Sequence, residues 1–255
     1  MGLLEGKTIL VSGVFNETSI AYRAAEVAQQ QGATVILTAF GRRRRITEAI
    51  ARRLPTTPPI VEFDATLPED VGLLHDQVAQ HADHLDGVVH CISASFPSVV
   101  GDHFASAEWQ DVSHSFQVSA YSYQSLVRGV DKLLVDGASV VGCTLDGSVA
   151  WPVYGWAGVA KAAYESTNQY LAHHYGQRGI RCNLVASGPI ESFTMKAIEG
   201  IDEVDGMWES RAPLHWDSTN SRPVARSIVA LLSDWLPATT GSVIYADGGF
   251  HAVAY

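Results

Sequence analysis

The chain has 255 residues, of which 47% are hydrophobic and 17% charged, and its formal net charge is -10 at pH 7. This composition allows one domain with a large core, whereas the acidic charge argues against a nucleic-acid surface, which needs basic side chains to neutralise phosphates. No apolar run reaches the length of a membrane span, and the N-terminal residues enter a strand too soon for a signal peptide. We therefore expect a cytoplasmic protein.

Short apolar runs alternate with longer helical patterns along the chain, which is typical of β-α-β units. The predicted strands are Lys7–Ser12, Thr34–Thr38, Ile60–Phe63, Gly87–Ile92, Ser139–Cys143, Arg181–Val185 and Ser242–Ala246. The predicted helices run from Thr18-Ser19 to Gly32 and over Arg43–Arg53, Glu69–His81, Trp109–Leu134, Gly155–Gln177 and Pro223–Asp234. This pattern predicts a single-domain α/β fold, a Rossmann-type doubly wound parallel sheet of about seven strands with helices on both faces.

Two segments, Ser93–Ala107 and Glu191–Trp216, are the least regular parts of this pattern. Both follow predicted strands at the carboxyl edge of the sheet, where loops carry binding residues. We therefore expect a substrate cleft and a lid to be built from them, with the lid over residues 191–216.

The three cysteines, Cys91, Cys143 and Cys182, lie in apolar, strand-like runs. Their number and spacing fit neither a disulfide framework nor a zinc site, so we predict buried thiols. The ten histidines are scattered and not grouped at ligand spacing, and we expect no metal site.

A nucleotide site is indicated where the first strand passes through a turn into the first helix. A helix N-terminus offers free N–H groups and the positive end of the helix dipole to a pyrophosphate. Gly13 stands alone in this turn, so the three-glycine fingerprint is absent and an ordinary strand-helix turn is the alternative.

The ends of the next two strands carry residues that bear on nucleotide binding. Phe40 is followed by the arginine run Arg42–Arg45, at a place where an acid would bond the ribose of NAD and arginine would pair with the extra phosphate of NADP. No acid is present, so the run indicates either NADPH or the solvated start of a helix. Asp64 is placed either to accept a hydrogen bond from an adenine amino group or to cap the following turn.

Tyr154 and Lys161 are the most informative pair in the chain. Seven helical positions sweep about 700°, nearly two turns, so the phenol and the ammonium are predicted to share one helix face. A tyrosine hydroxyl aimed at a carbonyl, with a lysine behind it to hold a polar cofactor, is an arrangement for stabilising charge on the carbonyl oxygen. The alternative is a solvent-edge tyrosine and a surface lysine.

Several further motifs are distributed along the chain. They are the one-glycine turn with Ser19-Ile20-Ala21, Asp64, Val89-His90, Ser119-Ala-Tyr-Ser122, the Tyr154-x6-Lys161 pair, Arg181-Cys-Asn-Leu-Val185, Gly188-Pro189-Ile190, Arg211-Ala-Pro213, Ala230–Gly241 and Asp247-Gly-Gly249. With them the chain resembles, over nearly its whole length, the enoyl-acyl carrier protein reductases of the short-chain dehydrogenase/reductase superfamily, above all the mycobacterial and actinomycete form. The gap between the tyrosine and the lysine is typical of the enoyl branch.

The resemblance implies a reaction and a set of contacts. Tyr154 would hydrogen-bond the thioester carbonyl and Lys161 the nicotinamide ribose, while hydride from NADH or NADPH goes to the β-carbon of a 2,3-unsaturated acyl thioester, on acyl carrier protein or coenzyme A. The implied cofactor contacts are Gly13, Ser19, Ile20, Phe40, Asp64, Ala65, Ile92, Ser93, Lys161, Ile190 and Ser192. The implied substrate contacts are Ala94, Leu145, Tyr154, Met195 and Trp208. A homotetramer is also implied, with Trp109–Leu134, Gly155–Gln177 and the C-terminal end as candidate interfaces.

The chain departs from the family pattern on the substrate side. Leu145 stands where these reductases usually carry an aromatic residue, and Ser93 replaces a glycine. The lid segment Ile198–Trp208 is shorter than in the long-chain mycobacterial enzyme, which suits shorter acyl groups. These departures leave two alternatives to enoyl reduction: a reductase of a ketone or a specialised secondary metabolite, and a non-catalytic NAD(P)-binding regulatory protein.

Overall fold

A computed structural model describes residues 2–151, 153–191 and 201–254. Its parallel strands are β1 (Thr8–Ser12), β2 (Thr34–Ala39), β3 (Ile60–Glu62), β4 (Leu85–His90), β5 (Leu134–Thr144), β6 (Arg181–Ser187) and β7 (Val243–Ala246). They form one sheet in the order β3-β2-β1-β4-β5-β6-β7. The order changes direction between β1 and β4, the kind of switch point at which open α/β sheets bind ligands. The predicted doubly wound sheet is confirmed.

Helices cover both faces of this sheet. They are α1 (Ile20–Gln30), α2 (Arg43–Ala51), α3 (Pro68–Ala79), α4 (Trp109–Phe116), α5 (Ser122–Val130), α6 (Gly155–Tyr175), α7 (Ile201–Arg211) and α8 (Arg222–Leu232). Successive residues of β1 face opposite sides, so Leu10 joins an apolar cluster with α3, α5 and α6 while Ile9 and Val11 join another with α1 and α8. Among the described residues, no helix is long and apolar enough to cross a membrane.

The first helix starts as its sequence predicts. The hydroxyl of Ser19 accepts a hydrogen bond from the backbone N–H of Tyr22 at 3.2 Å, which makes Ser19 the N-cap. The helix ends at Gln30, and Gly32 follows with a φ of 93°, a left-handed conformation that favours glycine.

The prediction of one continuous helix over Trp109–Leu134 is wrong. A π-helical turn, Gln117–Tyr121, separates α4 from α5, and a 3-10 turn, Asp131–Leu133, precedes β5. Side-chain hydrogen bonds compete with regular helical pairing here, because the Ser122 hydroxyl donates to the Val118 carbonyl at 2.6 Å and Ser119 bonds outward to the loop after β4.

Two other element boundaries need correction. Strand β5 begins at Leu134, five positions before the predicted Ser139, because the segment before Ser139 continues the pairing with β4 through Leu85. The predicted irregular segment 191–216 contains helix α7. That helix has a weak apolar pattern and an internal glycine, Gly206, so periodicity did not reveal it. The lid as a whole remains a prediction, since residues 192–200 lie outside the described residues.

Candidate active site

The turn after β1 brings the chain close to the end of β4. Gly13 has a φ of 93°, and a Cβ placed there would lie 2.2 Å from the carbonyl oxygen of Cys91, so only glycine fits. The amides of Ile20 and Ala21, at the start of α1, have no acceptor among the described residues. These two donors and the helix dipole suit a pyrophosphate, so the turn fits a dinucleotide despite its single glycine.

The ends of β2 and β3 form the edge expected to hold the adenosine. The guanidinium of Arg43 lies 5.4 Å from the ring centroid of Phe40. Arg44 is engaged by two carboxylates, Glu48 at 3.1 Å and Glu62 at 3.2 Å. Glu62 also accepts a hydrogen bond of 2.6 Å from the amide of Gly41, so a carboxylate is bonded to the turn after β2. The sequence pattern of four arginines did not reveal this acid, which comes from the neighbouring strand.

Asp64 closes the turn after β3. Its Oδ1 accepts hydrogen bonds from the backbone N–H of Thr66 at 2.9 Å and from the Thr66 hydroxyl at 2.7 Å. The capping alternative is therefore realised in the structure. Ala65 beside it is buried, and both residues follow the carboxyl end of β3.

The loop after β4 is tied to the π-helical turn. The Ser119 hydroxyl accepts from the amide of Ala94 at 3.2 Å and donates to the Ala94 carbonyl at 3.0 Å. Since Ser119 donates its proton there, the Ser93 hydroxyl, 3.2 Å away, is the donor to Ser119. The side chain of Ser93 thus holds the loop that follows β4, at the switch point of the sheet.

Lys161 reaches the carboxyl end of β5. Its Nζ donates a hydrogen bond to the backbone carbonyl of Cys143 at 3.0 Å and lies 4.8 Å from the ring centroid of Tyr164. Burial lowers the pKa of the ammonium, and the nearby Cys143, Cys91 and Glu165 partly offset that effect. The lysine is an anchored cation at the ligand edge.

Tyr154 lies immediately before helix α6, at its N-cap position, and is 9% exposed. Its carbonyl accepts the amide of Ala157 at 2.9 Å, which begins the helical pairing. Gly155 has a φ of 46°, and a Cβ there would be 2.8 Å from the carbonyl oxygen of Val99, so the loop before α4 packs closely on the helix start. Tyr154 therefore lies just outside the helix that carries Lys161, and the helical residues that lead to the lysine begin at Gly155.

An apolar cluster surrounds Tyr154. It contains Trp208, Phe250 and, packed against them, Leu145 and Trp151. The rings of Trp208 and Phe250 are stacked with centroids 3.9 Å apart, and Trp151 lies 4.9 Å from Trp208. Two predicted substrate residues, Leu145 and Trp208, are thus brought together with the tyrosine. Trp151 and Phe250 also belong to this cluster, and the sequence did not predict them there.

Comparison with known proteins identifies the family of this chain. The sequence model of the family described as Enoyl-(Acyl carrier protein) reductase matches residues 13–251. The chain belongs to the enoyl-(acyl carrier protein) reductase family.

Relatives within the family differ in the nicotinamide that their names give. The enoyl-[acyl-carrier-protein] reductase [NADH] of Mycolicibacterium smegmatis is 43% identical over 97% of each chain. The [NADH] reductase of Mycobacterium avium is 42% identical over 97% of each chain. The [NADPH] reductase of Staphylococcus aureus strain MRSA252 is 31% identical over 98% of each chain. The chain spans nearly the full length of these relatives. Its membership of the family therefore establishes that it is an NAD(P)H-dependent oxidoreductase.

Of the remaining predicted cofactor and substrate contacts, one is described by the structure and two are not. Ile190 is buried after β6, and the carbonyl of the next residue, Glu191, accepts a hydrogen bond of 3.4 Å from the Thr18 hydroxyl in the turn between β1 and α1. Ser192 and Met195 lie outside the described residues. The individual site assignments stay predictions.

Two buried side chains and one half-buried carboxylate near Lys161 were not among the predicted site residues. His90 and Tyr164 are completely buried and hydrogen-bonded to each other at 2.8 Å. Glu165 accepts hydrogen bonds from the Thr144 hydroxyl at 3.0 Å and the Gly147 amide at 2.9 Å, which fixes the loop carrying Leu145. Burial raises the pKa of the Glu165 carboxyl. A histidine at the end of an apolar strand was the available signal for the first of these.

The cysteines are free thiols. Cys143 and Cys182 are buried as predicted, whereas Cys91 is only half-buried because it follows β4 at the open edge. The sulfur atoms of Cys91 and Cys143 lie 3.2 Å apart. Hydrogen bonding to Cys143, followed by burial, raises the pKa of the Cys91 thiol well above its usual value. Within the described ranges, no group of three or more potential ligands is arranged to hold a metal.

Proposed function

We propose that the protein is an NADH-dependent enoyl-thioester reductase that reduces the 2,3 double bond of an acyl chain in fatty-acid or related biosynthesis. The observation that carries this proposal is the placement of two side chains at one helix. Tyr154 lies in an apolar cluster at the start of α6, and Lys161 of α6 is held at the end of β5 by the Cys143 carbonyl at 3.0 Å. The bound dinucleotide supplies the hydride.

The protein's own residues would stabilise the charge that develops on the substrate and would orient the cofactor. Hydride addition at the β-carbon moves negative charge onto the thioester oxygen, and the Tyr154 hydroxyl would donate a hydrogen bond to it there. Lys161 keeps part of its donor capacity after bonding Cys143 and would bind the ribose hydroxyls with it. The cluster of Tyr154, Leu145 and Trp208 would exclude water from the reacting double bond.

The choice of NADH rests on the adenosine edge. Glu62 is bonded to the Gly41 amide and neutralises Arg44, so an additional phosphate at this edge would meet a carboxylate. The mycobacterial relatives also carry NADH in their names. Their names further support an acyl carrier protein as the carrier of the substrate.

One assay tests the function. The purified protein is given NADH or NADPH with 2-enoyl thioesters of increasing length, on coenzyme A and on acyl carrier protein, and oxidation of the nicotinamide is followed. Turnover that is faster with NADH and on the carrier protein supports the proposal. Turnover of ketones with none of enoyl thioesters would show the carbonyl reductase instead, and NADH binding without any turnover would show a regulatory protein.

We also propose a cytoplasmic homotetramer. The three cysteines are free, which suits a reducing compartment. Large apolar side chains stand exposed on the candidate interfaces, Trp109 at 73%, Tyr121 at 54% and Tyr170 at 74%, and Ile244 and Tyr245 are partly exposed on the edge strand β7. Light scattering on a sizing column tests the assembly, and a monomer at working concentration would contradict it.

A further inference from the structure

A chain of hydrogen bonds runs through the core behind Lys161. It joins Tyr164 on α6, His90 at the end of β4 and Ser122 at the start of α5, all completely buried. The Tyr164 hydroxyl lies 2.8 Å from His90 Nδ1, and His90 Nε2 lies 2.8 Å from the Ser122 hydroxyl. The chain ends at the Val118 carbonyl in the π-helical turn, 2.6 Å from Ser122.

The direction of every hydrogen bond in this chain follows from its last member. A carbonyl only accepts, so the Ser122 hydroxyl donates to Val118 and must accept from His90. His90 therefore carries its proton on Nε2, and its Nδ1 accepts a hydrogen bond from the Tyr164 hydroxyl. Burial lowers the pKa of His90 to about 3, so the ring stays neutral and keeps this tautomer.

The fixed hydroxyl also fixes the ring of Tyr164. The hydroxyl approaches Gly142 of β5 so closely that a Cβ there would lie 2.0 Å from it. Lys161 lies over this ring, with its Nζ 4.8 Å from the ring centroid. A cation beside an aromatic ring is attracted by the ring's negative face, and this attraction is strongest where water is excluded.

We propose that Tyr164 is a positioning residue, whose ring holds the Lys161 ammonium against the Cys143 carbonyl, while His90 and Ser122 hold the ring. Lys161 is otherwise the end of a long, flexible side chain, and each fixed contact reduces the freedom it would lose on binding a ligand. The proposal rests on the proposed function, because it assigns the lysine to the nicotinamide ribose.

A thermodynamic cycle separates positioning from a general structural role. The dissociation constant of NADH is measured for the wild type, Tyr164→Leu, Lys161→Ala and the double variant. We expect Tyr164→Leu to weaken NADH binding about tenfold when Lys161 is present and less than about twofold when it is alanine. Equal weakening in both backgrounds would overturn the proposal, since a residue that only supports the fold acts whether or not the lysine is there.

Conservative variants keep the test decisive if Tyr164→Leu does not fold. Tyr164→Phe retains the ring but loses its anchor to His90, and we expect NADH binding to weaken about threefold, again only with Lys161 present. Tyr123→Phe is the matched control, because Tyr123 is equally buried and its hydroxyl bonds Asn168 at 3.1 Å. An equal effect of the two phenylalanine variants would contradict the proposal.

The same measurements distinguish failure of the two proposals. A wild-type protein that binds no NADH and turns over no enoyl thioester would overturn the proposed function and this inference with it. Binding and turnover by the wild type, with no dependence of the Tyr164 effect on Lys161, would overturn this inference alone.

Discussion

The ammonium of Lys161 is bonded to the backbone carbonyl of Cys143, with Nζ and the oxygen 3.0 Å apart. The carbonyl belongs to β5, which is paired with β4 on one side and β6 on the other, so the position of the charge is tied to the interior of the sheet. One of the three ammonium protons is used there, which leaves donors for the two hydroxyls of a ribose.

Replacing the lysine should weaken cofactor binding more than it slows the chemical step. Lys161→Gln removes a charge-assisted donor, and we expect the KM for NADH to rise about tenfold with a smaller fall in kcat. Steady-state kinetics with NADH varied measures both. Lys7→Gln is the control, since Lys7 pairs with Asp234 at the surface by a 2.9 Å contact and should leave the KM unchanged. An unchanged KM in Lys161→Gln would remove the lysine from the cofactor site.

Tyr154→Phe should show the opposite kinetic pattern. The variant keeps the ring in its apolar cluster but loses the donor for the carbonyl oxygen, so we expect kcat to fall about a hundredfold or more. The dissociation constant of NADH should stay the same. Tyr170→Phe, on α6 at a position that is 74% exposed, should keep full activity. Full turnover by Tyr154→Phe would show that another group donates to the carbonyl.

The fold could be predicted from the sequence because it is expressed as local patterns. Alternating apolar runs indicated strands β1 to β7, and the helical pattern after Tyr154 placed Lys161 on α6 with the tyrosine at its start. The catalytic roles of the two side chains stay predictions. The π-helical turn at Gln117–Tyr121 could not be predicted, because it depends on hydrogen bonds that Ser119 and Ser122 make to partners brought near by folding.

The adenosine edge shows a second limit of local patterns. Four consecutive arginines allowed either a phosphate site or the solvated start of a helix. In the structure Arg43 begins α2, and Arg44 is paired with Glu62, which is contributed by a strand. Only the order of strands in the sheet brings the two together. The same reason hid Phe250, which lies far along the chain from Trp208 and stacks on it.

Glu62 should discriminate against NADPH. Glu62→Gln removes a carboxylate from the edge and releases Arg44, so we expect the ratio of kcat/KM for NADPH to that for NADH to rise about fivefold, the scale of one partly exposed charge interaction. Glu48→Gln is matched, because Glu48 also pairs with Arg44, at 3.1 Å, but belongs to α2. If the ratio rose equally in both variants, the release of Arg44 would explain the changed cofactor preference and the charge of Glu62 would not.

Burial of neutral His90 should make the fold sensitive to acid. Its pKa is lowered from 6.5 to about 3, so between these values the unfolded chain binds a proton that the folded chain does not. The free energy of unfolding therefore rises with pH in this window and falls as the pH drops from 6.5 towards 3, by roughly 1.4 kcal/mol per pH unit in its middle.

Denaturant unfolding at a series of pH values measures this slope. His90→Gln should be less stable than the wild type at neutral pH but should lose less stability on acidification. His81→Gln, at an exposed position, should lose as much stability as the wild type when the pH is lowered. Parallel curves for the wild type and His90→Gln would show that His90 does not cause the loss.

The stack of Trp208 and Phe250 should restrict the length of the acyl chain. The two rings and Trp151 line a cavity with Leu145 at the ends of β5, β6 and β7, in contact with the cluster that contains Tyr154. An acyl chain leaving a carbonyl held by Tyr154 on this side would meet the stacked rings 3.9 Å apart. We therefore expect kcat/KM to be higher for short enoyl thioesters than for long ones.

Phe250→Ala should open this space, since removal of a buried phenyl ring leaves a cavity that a few methylene groups can fill. We expect kcat/KM for a dodecenoyl thioester to rise about tenfold relative to that for crotonyl, and stability to fall by roughly 3 kcal/mol. Phe104→Ala removes a comparable stack, on Trp156 at 5.0 Å, from a half-exposed position and should leave the chain-length profile unchanged. A wild type that already prefers dodecenoyl thioester would show that the acyl chain leaves Tyr154 in another direction.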